Sequence, residues 1–365
     1  MQTKLIFISL SLLFLNTFSA LGSETVNNQT LALIINKDDP ASVETGQFYK
    51  KLRAIPEKNI IYISIKKPRS SITPGEFNKI YRQVQKQTDT EIQAYALAWS
   101  KPYKVGCMSI TSAFSLSYNK QYCATGCKTT KTIDYYNSNS RQPFNDYKIR
   151  PSMMLAGSNI ENIRKTLSKG VQADYSHPAG TAYLLSTSDK NRSVRSAIFP
   201  QIIKQLSSII NTEVVHENFI EDKKDVMFYF TGNTYVKKLS SNHFLAGAAA
   251  DHLTSTGGVL FGKYQMSILK WLDAGATASY GTVVEPCNFL AKFSNPGILM
   301  SHYLNGNTIL EAYWKSVAMP GQGVFVGEPL SSPYKSCRIK MNALGVFSFF
   351  QSKPGNYVLR SSTRC

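Results

Sequence analysis

Cys287 is the residue whose surroundings most suggest reaction chemistry. It ends the stretch SYGTVVEPC, residues 279–287, in which small and β-branched residues lead to a carboxylate and a thiol. A cysteine nucleophile needs a base within hydrogen-bond reach and a lowered thiol pKa. His252 lies upstream and Glu285 would orient its imidazole, so one hypothesis is a cysteine-dependent, peptidase-like hydrolase with these catalytic residues. The alternatives are that Cys287 forms a disulfide, with Cys337 as one candidate partner, or is a buried thiol.

The acidic residues offer a second kind of chemistry. Asp38 and Asp39 lie in the sequence KDDPAS, and either Glu285 or Glu328 could join them. Two carboxylates held together can act as an acid–base pair or bind a metal ion through oxygen. The same short sequence is also typical of a turn, whatever the function of the protein. Both interpretations stay open at the level of sequence.

The cysteines bear on the cellular compartment. The six of them are Cys107, Cys123, Cys127, Cys287, Cys337 and Cys365. An even number suits disulfides formed in an oxidising compartment, and six cysteines allow fifteen pairings. Cys123 and Cys127 are close enough in sequence to close a local loop. Because no second pair of cysteines or histidines stands at zinc-finger spacing, we predict no metal site.

The N-terminal residues predict export. Lys4 precedes the apolar run LIFISLSLLFL, which has the length of a signal-peptide core and is too short to span a bilayer. Ala20 and Gly22 are small residues at the spacing that signal peptidase prefers, so we expect residues 1–22 to be removed near Gly22. No later window is long and apolar enough for a transmembrane helix. The mature chain is therefore expected to be periplasmic or secreted, without a transmembrane segment.

The charge balance indicates the kind of partner. Lys and Arg number 41 against 23 Asp and Glu, for a formal net charge of +18. Such a balance favours an anionic component of the cell envelope, or another protein, as partner. The basic residues are scattered, and a solvated basic surface is the simpler explanation. Aromatic and basic residues do not alternate in any one segment, so we predict no specific nucleic-acid binding.

The elements that would position these residues follow an alternating pattern. Short apolar runs alternate with helical patterns, which predicts an α/β fold: a three-layer, mostly parallel sheet of the caspase-like or Rossmann-like kind, with a Cys-rich insertion. The predicted strands cover residues 30–36, 59–65, 92–100, 181–189, 226–232 and 276–284. The predicted parts are an N-terminal α/β part (23–100), a Cys-rich elaboration (101–190), a C-terminal α/β part (191–335) and a tail (336–365).

A predicted binding rim follows from this fold, because ligands of open parallel sheets bind beyond the carboxyl ends of the strands. The residues expected there are Asn36, Asp38, Asp39, Ser42, Asn233 and Glu328. Ser42 is also expected to cap the first helix. The glycine-rich fingerprint of dinucleotide-binding folds does not follow the first strand. We therefore predict no cofactor.

Several motifs together resemble a known family. They include NKDDPAS, CMSITSAFSLSYN, IRPSMMLAG, DHLTSTGG, DAGATASYGTVVEPC and PGQGVFVGEPLSSPY. Over roughly residues 30–335 the chain is similar to an uncharacterised family of exported bacterial proteins found in genomes with exosortase-type protein sorting. The resemblance implies export and leaves the activity unassigned.

A second resemblance concerns the fold. The segment around LKWLDAGATASYGTVVEP looks like the late part of caspase-like cysteine peptidase domains, including the gingipains. Those domains place a His-Gly after one strand and a cysteine after the next. This alignment puts Thr231-Gly232 at the histidine position and residues 254–256 at the cysteine position, while Cys287 falls one strand too late. The resemblance thus implies that the peptidase dyad is missing. The first functional hypothesis is a noncatalytic envelope or extracellular binding or assembly factor, with the cysteine hydrolase as the alternative.

Overall fold

A computed structural model describes residues 25–124, 126–341, 347–353 and 356–358. The predicted signal peptide and Cys365 lie outside the described residues. Within the described ranges, no helix is long and apolar enough to cross a membrane.

The described chain forms sixteen strands and nine α-helices. The strands are β1 (Leu31–Asn36), β2 (Ile60–Ile63), β3 (Ser71–Ile72), β4 (Ala94–Leu97), β5 (Lys104–Val105), β6 (Met108–Ser109), β7 (Ser152–Met154), β8 (Thr181–Leu185), β9 (Asn211–Val215), β10 (Val226–Thr231), β11 (Phe244–His252), β12 (Ala278–Thr282), β13 (Gly323–Gly327), β14 (Cys337–Met341), β15 (Phe347–Lys353) and β16 (Asn356–Val358). The helices are α1 (Pro40–Arg53), α2 (Pro74–Gln87), α3 (Ile110–Leu116), α4 (Pro143–Tyr147), α5 (Ile160–Gln172), α6 (Phe199–Leu206), α7 (Leu269–Asp273), α8 (Pro296–Leu304) and α9 (Ile309–Ser316).

Ten of the strands form one central sheet, in the order β2-β1-β4-β7-β13-β12-β11-β10-β8-β9. Strands β2, β1, β4, β7 and β13 run in one direction. Strands β12, β11, β10, β8 and β9 run parallel to one another. The two groups meet at β12 and β13, which pair antiparallel. The predicted α/β fold with a mostly parallel sheet is confirmed, and the sheet has two parallel halves of opposite direction.

The central strands are mostly apolar because helices or loops cover both faces of the sheet. All six residues of β1 and all six of β10 are buried. In β1, Leu31, Leu33 and Ile35 belong to one core layer, while Ala32 and Ile34 belong to the other. Helices α5, α6, α8 and α9 contribute to the first layer, and α2, α3 and α7 to the second. This arrangement is the predicted three-layer architecture.

The N-cap residue of α1 is not the predicted one. Asp39, and not Ser42, is the N-cap, because its Oδ1 accepts a hydrogen bond of 3.1 Å from the Ala41 N–H. Ser42 is buried within the first turn, where its Oγ accepts from the Asn36 N–H at 2.9 Å. The sequence prediction placed the cap at Ser42 and so missed Asp39. The helix begins earlier than predicted, because Pro40 occupies its first position.

The predicted elaboration over residues 101–190 is too long. Strands β7 and β8 lie within that interval and belong to the central sheet. The part before β7 forms no strand of the central sheet, and it carries β5, β6 and the disulfide-bonded Cys107, Cys123 and Cys127. Strand β7 escaped the sequence reasoning because it has three residues, too few for a period-two pattern.

The cysteine pairing also differs from the expectations. Cys107 pairs with Cys123, and Cys127 pairs with Cys287. The local closure between Cys123 and Cys127 is therefore wrong, as is the pairing of Cys287 with Cys337. No cysteine in the described ranges is a free thiol. The second disulfide ties the insertion to the segment that follows β12.

The tail forms a sheet of its own. Strands β14, β15 and β16 pair antiparallel and make no ladder with the central sheet. The predicted tail thus contains a separate three-stranded sheet.

Candidate functional site

The residues of the predicted rim lie in separate parts of the sheet. Asn36 and Asp38 follow β1, and we call this place the first edge. Asn233 and Glu285 follow β10 and β12, and we call this place the second edge. Five strands separate β1 from β10 in the sheet order. The structure therefore does not bring the predicted rim residues together in one pocket.

At the first edge, the polar residues join the end of β1 to the segment that follows β2. Asn36 bonds the Ile65 backbone twice: its Nδ2 donates to the carbonyl at 3.0 Å and its Oδ1 accepts from the N–H at 2.8 Å. The Asp38 carboxylate accepts a hydrogen bond from the Ser64 hydroxyl. With Asp39 as the helix cap, these residues hold the two strand ends together and start α1. Among the described residues, no cluster of His, Cys, Asp or Glu could hold a metal ion.

Glu328 is a buried structural carboxylate. It follows β13, is fully buried, and accepts a hydrogen bond of 2.6 Å from the Tyr49 hydroxyl. The Arg53 guanidinium pairs with both of its oxygens, with Nε at 3.0 Å from Oε1 and Nη2 at 2.5 Å from Oε2. Burial and the neighbouring Glu328 charge hold the pKa of Tyr49 well above its usual value. Glu328 thus links β13 to α1 and does not pair with Asp38, Asp39 or Glu285.

Cys287 has no thiol group in this structure, because its sulfur is bonded to Cys127. The Glu285 carboxylate accepts a hydrogen bond of 2.7 Å from the Cys287 N–H, which closes the turn between them. Glu285 therefore orients the backbone of Cys287 and makes no hydrogen bond to an imidazole among the described residues. The role assigned to Cys287 as a nucleophile is wrong for this structure, since a disulfide sulfur is not a thiolate.

His252 is equally unsuited to the role of base. The last residue of β11, it is buried, and its Nδ1 accepts a hydrogen bond of 2.9 Å from the Trp271 indole N–H. Its Nε2 must then carry the proton, which it donates to the Met266 carbonyl at 3.1 Å. Burial lowers the pKa of His252 to about 3. With both ring nitrogens engaged, the imidazole cannot accept a proton from a neighbour, and the predicted catalytic role is corrected to a structural one.

A pocket of about 340 Å³ lies where the ends of β11 and β12 meet the insertion. Its lining is Cys127, Asn191, Arg192, Leu253, Thr254, Ser255, Glu285, Cys287, Asn288 and Phe293. The predicted residues Glu285 and Cys287 are thus brought together here, while His252 and Asn233 are not in the lining.

The Arg192 guanidinium is fixed against this pocket. Its Nε donates to the Thr254 hydroxyl at 3.2 Å, and its Nη1 bonds the Asp189 carboxylate at 2.9 Å. The Gln265 Oε1 accepts from the Thr254 hydroxyl at 2.9 Å and from the Thr256 N–H at 2.7 Å, which holds the loop 254–256. The Arg192 Nη2 makes no hydrogen bond among the described residues and remains able to donate to a ligand.

A buried ion pair joins the strand ends near the pocket. Arg195 Nη1 bonds the Asp251 carboxylate at 2.6 Å, and its Nη2 donates to the Thr231 carbonyl at 2.5 Å. Ser294 donates a further hydrogen bond to Asp251. Burial raises the pKa of Asp251, although the Arg195 charge opposes that shift. The pair joins the ends of β10 and β11 to the segment 193–198.

Sequence reasoning missed Arg192 and Arg195. Both lie in NRSVRSAIF, which carries no recognisable motif. The available signal was Asp251, a carboxylate at the end of an apolar strand, because a buried acid requires a cationic partner.

No protein-family model matches the chain, and no curated protein matches it either. The function is therefore argued from the geometry of the site.

Proposed function

We propose that this chain is an exported, noncatalytic binding protein that holds an anionic ligand in the pocket beside Arg192. The observation that carries the proposal is the composition of the pocket edge. Hydroxyl groups and a guanidinium line the cavity, and its one lining carboxylate, Glu285, accepts a hydrogen bond from the Cys287 N–H. The nearby sulfur is in a disulfide, and the nearby imidazole has both nitrogens occupied. Such a set of groups binds and orients, but it lacks the activated nucleophile that covalent catalysis requires.

The position of the pocket supports a likeness to caspase-like domains. In those domains the histidine and cysteine follow successive strands, and β10 and β11 are adjacent and parallel, with Thr231 opposite His252. Threonine and serine stand at the corresponding loop positions of this chain, at Thr231 and at residues 254–256. We therefore propose a binding role at a site where related folds perform peptidase chemistry. We also propose that this chain belongs to the exosortase-associated family that its motifs resemble.

The ligand chemistry follows from Arg192. A guanidinium that is partly held by Asp189 and Thr254 is pre-oriented, so little side-chain entropy is lost when it binds a carboxylate or phosphate. The net charge of +18 favours approach of anions in general. Two disulfides agree with an oxidising compartment, and we propose a periplasmic or secreted location after removal of residues 1–22.

Fluorescence anisotropy with a labelled, acetylated hexaglutamate peptide tests the binding role. We expect R192Q to weaken binding about tenfold, because a charge-assisted hydrogen bond is lost. R192K, which keeps the charge, should recover part of the affinity. The matched control is R164Q, since Arg164 is a half-exposed arginine on α5 paired with Glu44. Equal losses in R192Q and R164Q, or no binding of the peptide by the native chain, contradict the proposal.

The cysteine hydrolase is tested separately. The disulfide predicts that iodoacetamide leaves Cys287 unlabelled at neutral pH unless a reductant is added. Peptide hydrolysis by the native chain that is lost in the double variant C127A/C287A would establish the hydrolase and overturn the noncatalytic role.

A further inference from the structure

Two neighbouring loops of the second half-sheet carry exposed aromatic rings beside lysines. Tyr235, in the loop after β10, is 63% exposed, and in the loop after β11 Phe261 is 41% and Tyr264 is 100% exposed. Lys237 and Lys263 are exposed beside them. Large apolar groups are normally scattered singly on a protein surface, so a group of three with lysines is a feature to explain. We call these five residues the aromatic–lysine surface.

A hydrogen bond holds the two loops together. The Met266 N–H donates to the Thr234 carbonyl at 2.9 Å. Tyr235 and Tyr264 are one and two residues from this bond, so they belong to adjoining segments. Between the loop after β10 and α7 lies a groove of about 500 Å³, lined in part by Tyr235, Lys237 and Lys270.

The charge of this region is positive. Lys238 is paired with Glu221 at 3.4 Å, and Lys270 is paired with Asp273 at 3.4 Å. Lys237 and Lys263 form no ion pair within the described part of the chain. The Lys101 ammonium lies 4.5 Å from the centre of the Phe261 ring, which brings a further cation to the loop tip.

We propose that the aromatic–lysine surface docks on the anionic lipid headgroups of a bilayer. Residues 261–264 are four consecutive exposed residues, Phe-Gly-Lys-Tyr, in the loop after β11. A run of exposed residues can contact a broad, flat surface along its whole length. Tyrosine prefers the boundary between headgroups and hydrocarbon, and each lysine near an anionic leaflet adds attraction.

This surface is separate from the pocket beside Arg192. None of its residues lines that pocket, and Arg192 does not line the groove. The docking inference goes beyond the proposed function, and either one can fail while the other holds.

Vesicle co-sedimentation tests the inference with the purified protein. The vesicles are phosphatidylcholine alone and phosphatidylcholine with about a third phosphatidylglycerol. Because each lysine near an anionic surface contributes about fivefold, the variant K237Q/K263Q should bind the anionic vesicles about 30-fold more weakly. The variant F261S/Y264S should lose binding as well, and high salt should weaken binding by the native chain. Every variant is compared with the native chain in the same form, either with or without residues 1–22, so the difference between variants is the readout.

Matched controls come from the first half of the chain. K79Q/K86Q changes two exposed lysines of α2, and Y175S removes a tyrosine that is 55% exposed. Both should bind as the native chain does. A Y264W variant gives an independent signal, because Trp99, Trp271 and Trp314 are buried and the new indole should shift its emission to the blue on anionic vesicles.

Three outcomes overturn the inference. The first is that the native chain binds neutral and anionic vesicles with the same affinity and that K237Q/K263Q does so as well. The second is an equal loss of binding in the control variants. The third is that heparin, used as a soluble acidic polysaccharide, binds the aromatic–lysine surface while anionic vesicles do not, which would assign the surface to a glycan.

Discussion

The ends of β1 and β11 carry similar polar residues but differ in structural role. After β1, Asn36 and Asp38 bond the segment that follows β2, and Asp39 caps α1, so these groups serve the fold. After β11, the loop 254–256 is held by Gln265 and by Arg192, and the Arg192 Nη2 keeps a donor for a ligand. Polar groups that bond other parts of the chain leave little for a ligand, whereas a fixed side chain with an unused donor can bind one. The comparison teaches that a ligand site is recognised by the polar groups that the fold leaves unused, not by composition.

The largest expected effect concerns the disulfide that ties the insertion to the second edge. Cys127 and Cys287 are separated by 160 residues, and Cys107 and Cys123 by 16. On the chain-entropy account, removing the Cys127–Cys287 disulfide should lower the free energy of unfolding by about 5 kcal/mol. Removing the Cys107–Cys123 disulfide should lower it by about 3 kcal/mol. Urea unfolding of C127S/C287S and C107S/C123S measures both. Equal losses would mean that loop length does not determine the contribution of these disulfides.

The buried ion pair of the second edge gives the next effect. D251A leaves the Arg195 charge buried without its carboxylate, so the free energy of unfolding should fall by about 4 kcal/mol. The double variant R195M/D251A removes both charges and should recover at least half of that loss. A double variant as unstable as D251A would show that packing, and not the unpaired charge, causes the destabilisation.

The two buried histidines predict a dependence on pH. Burial lowers the pKa of His252 and of His302 to about 3, from an ordinary value of 6.5. Between these values the unfolded chain binds protons that the folded chain does not, so stability falls as the pH falls below 6.5. The loss should reach about 2 kcal/mol per histidine at pH 5. In H252Q the fall in unfolding free energy between pH 7 and pH 5 should be smaller by that amount, and an unchanged slope would contradict the assignment.

The smallest effect belongs to the first edge. D39A removes the N-cap of α1 and should lower the free energy of unfolding by about 1 kcal/mol, while D39S should retain most of it. Hexaglutamate binding should be unchanged in both variants. A loss of peptide affinity in D39A, measured by anisotropy, would show that the first edge also takes part in binding and would remove the contrast between the edges.

Local sequence patterns predicted the elements well and their arrangement less well. The continuous apolar runs at β1 and β10 indicate strands buried on both faces, and the structure confirms them. The antiparallel pairing of β12 with β13 depends on contacts across more than one helix, which no local pattern encodes. Local patterns therefore could not show which strand-end residues share one pocket.

The candidate site was predictable only in part. Cys287 and Glu285 do lie in the pocket lining, because a residue that follows a strand reaches the sheet edge. The partner of Cys287 and the burial of His252 depend on how distant segments pack. Arg192 and Arg195 escaped notice because arginines in an unpatterned segment look like solvated surface residues.

The disulfide between Cys127 and Cys287 also makes the chain between them a covalently closed ring, because the two residues are 160 positions apart. A protease that cuts this ring once would leave the two fragments joined. The cut protein would then run as a single species on a denaturing gel without reductant and as two species after reduction.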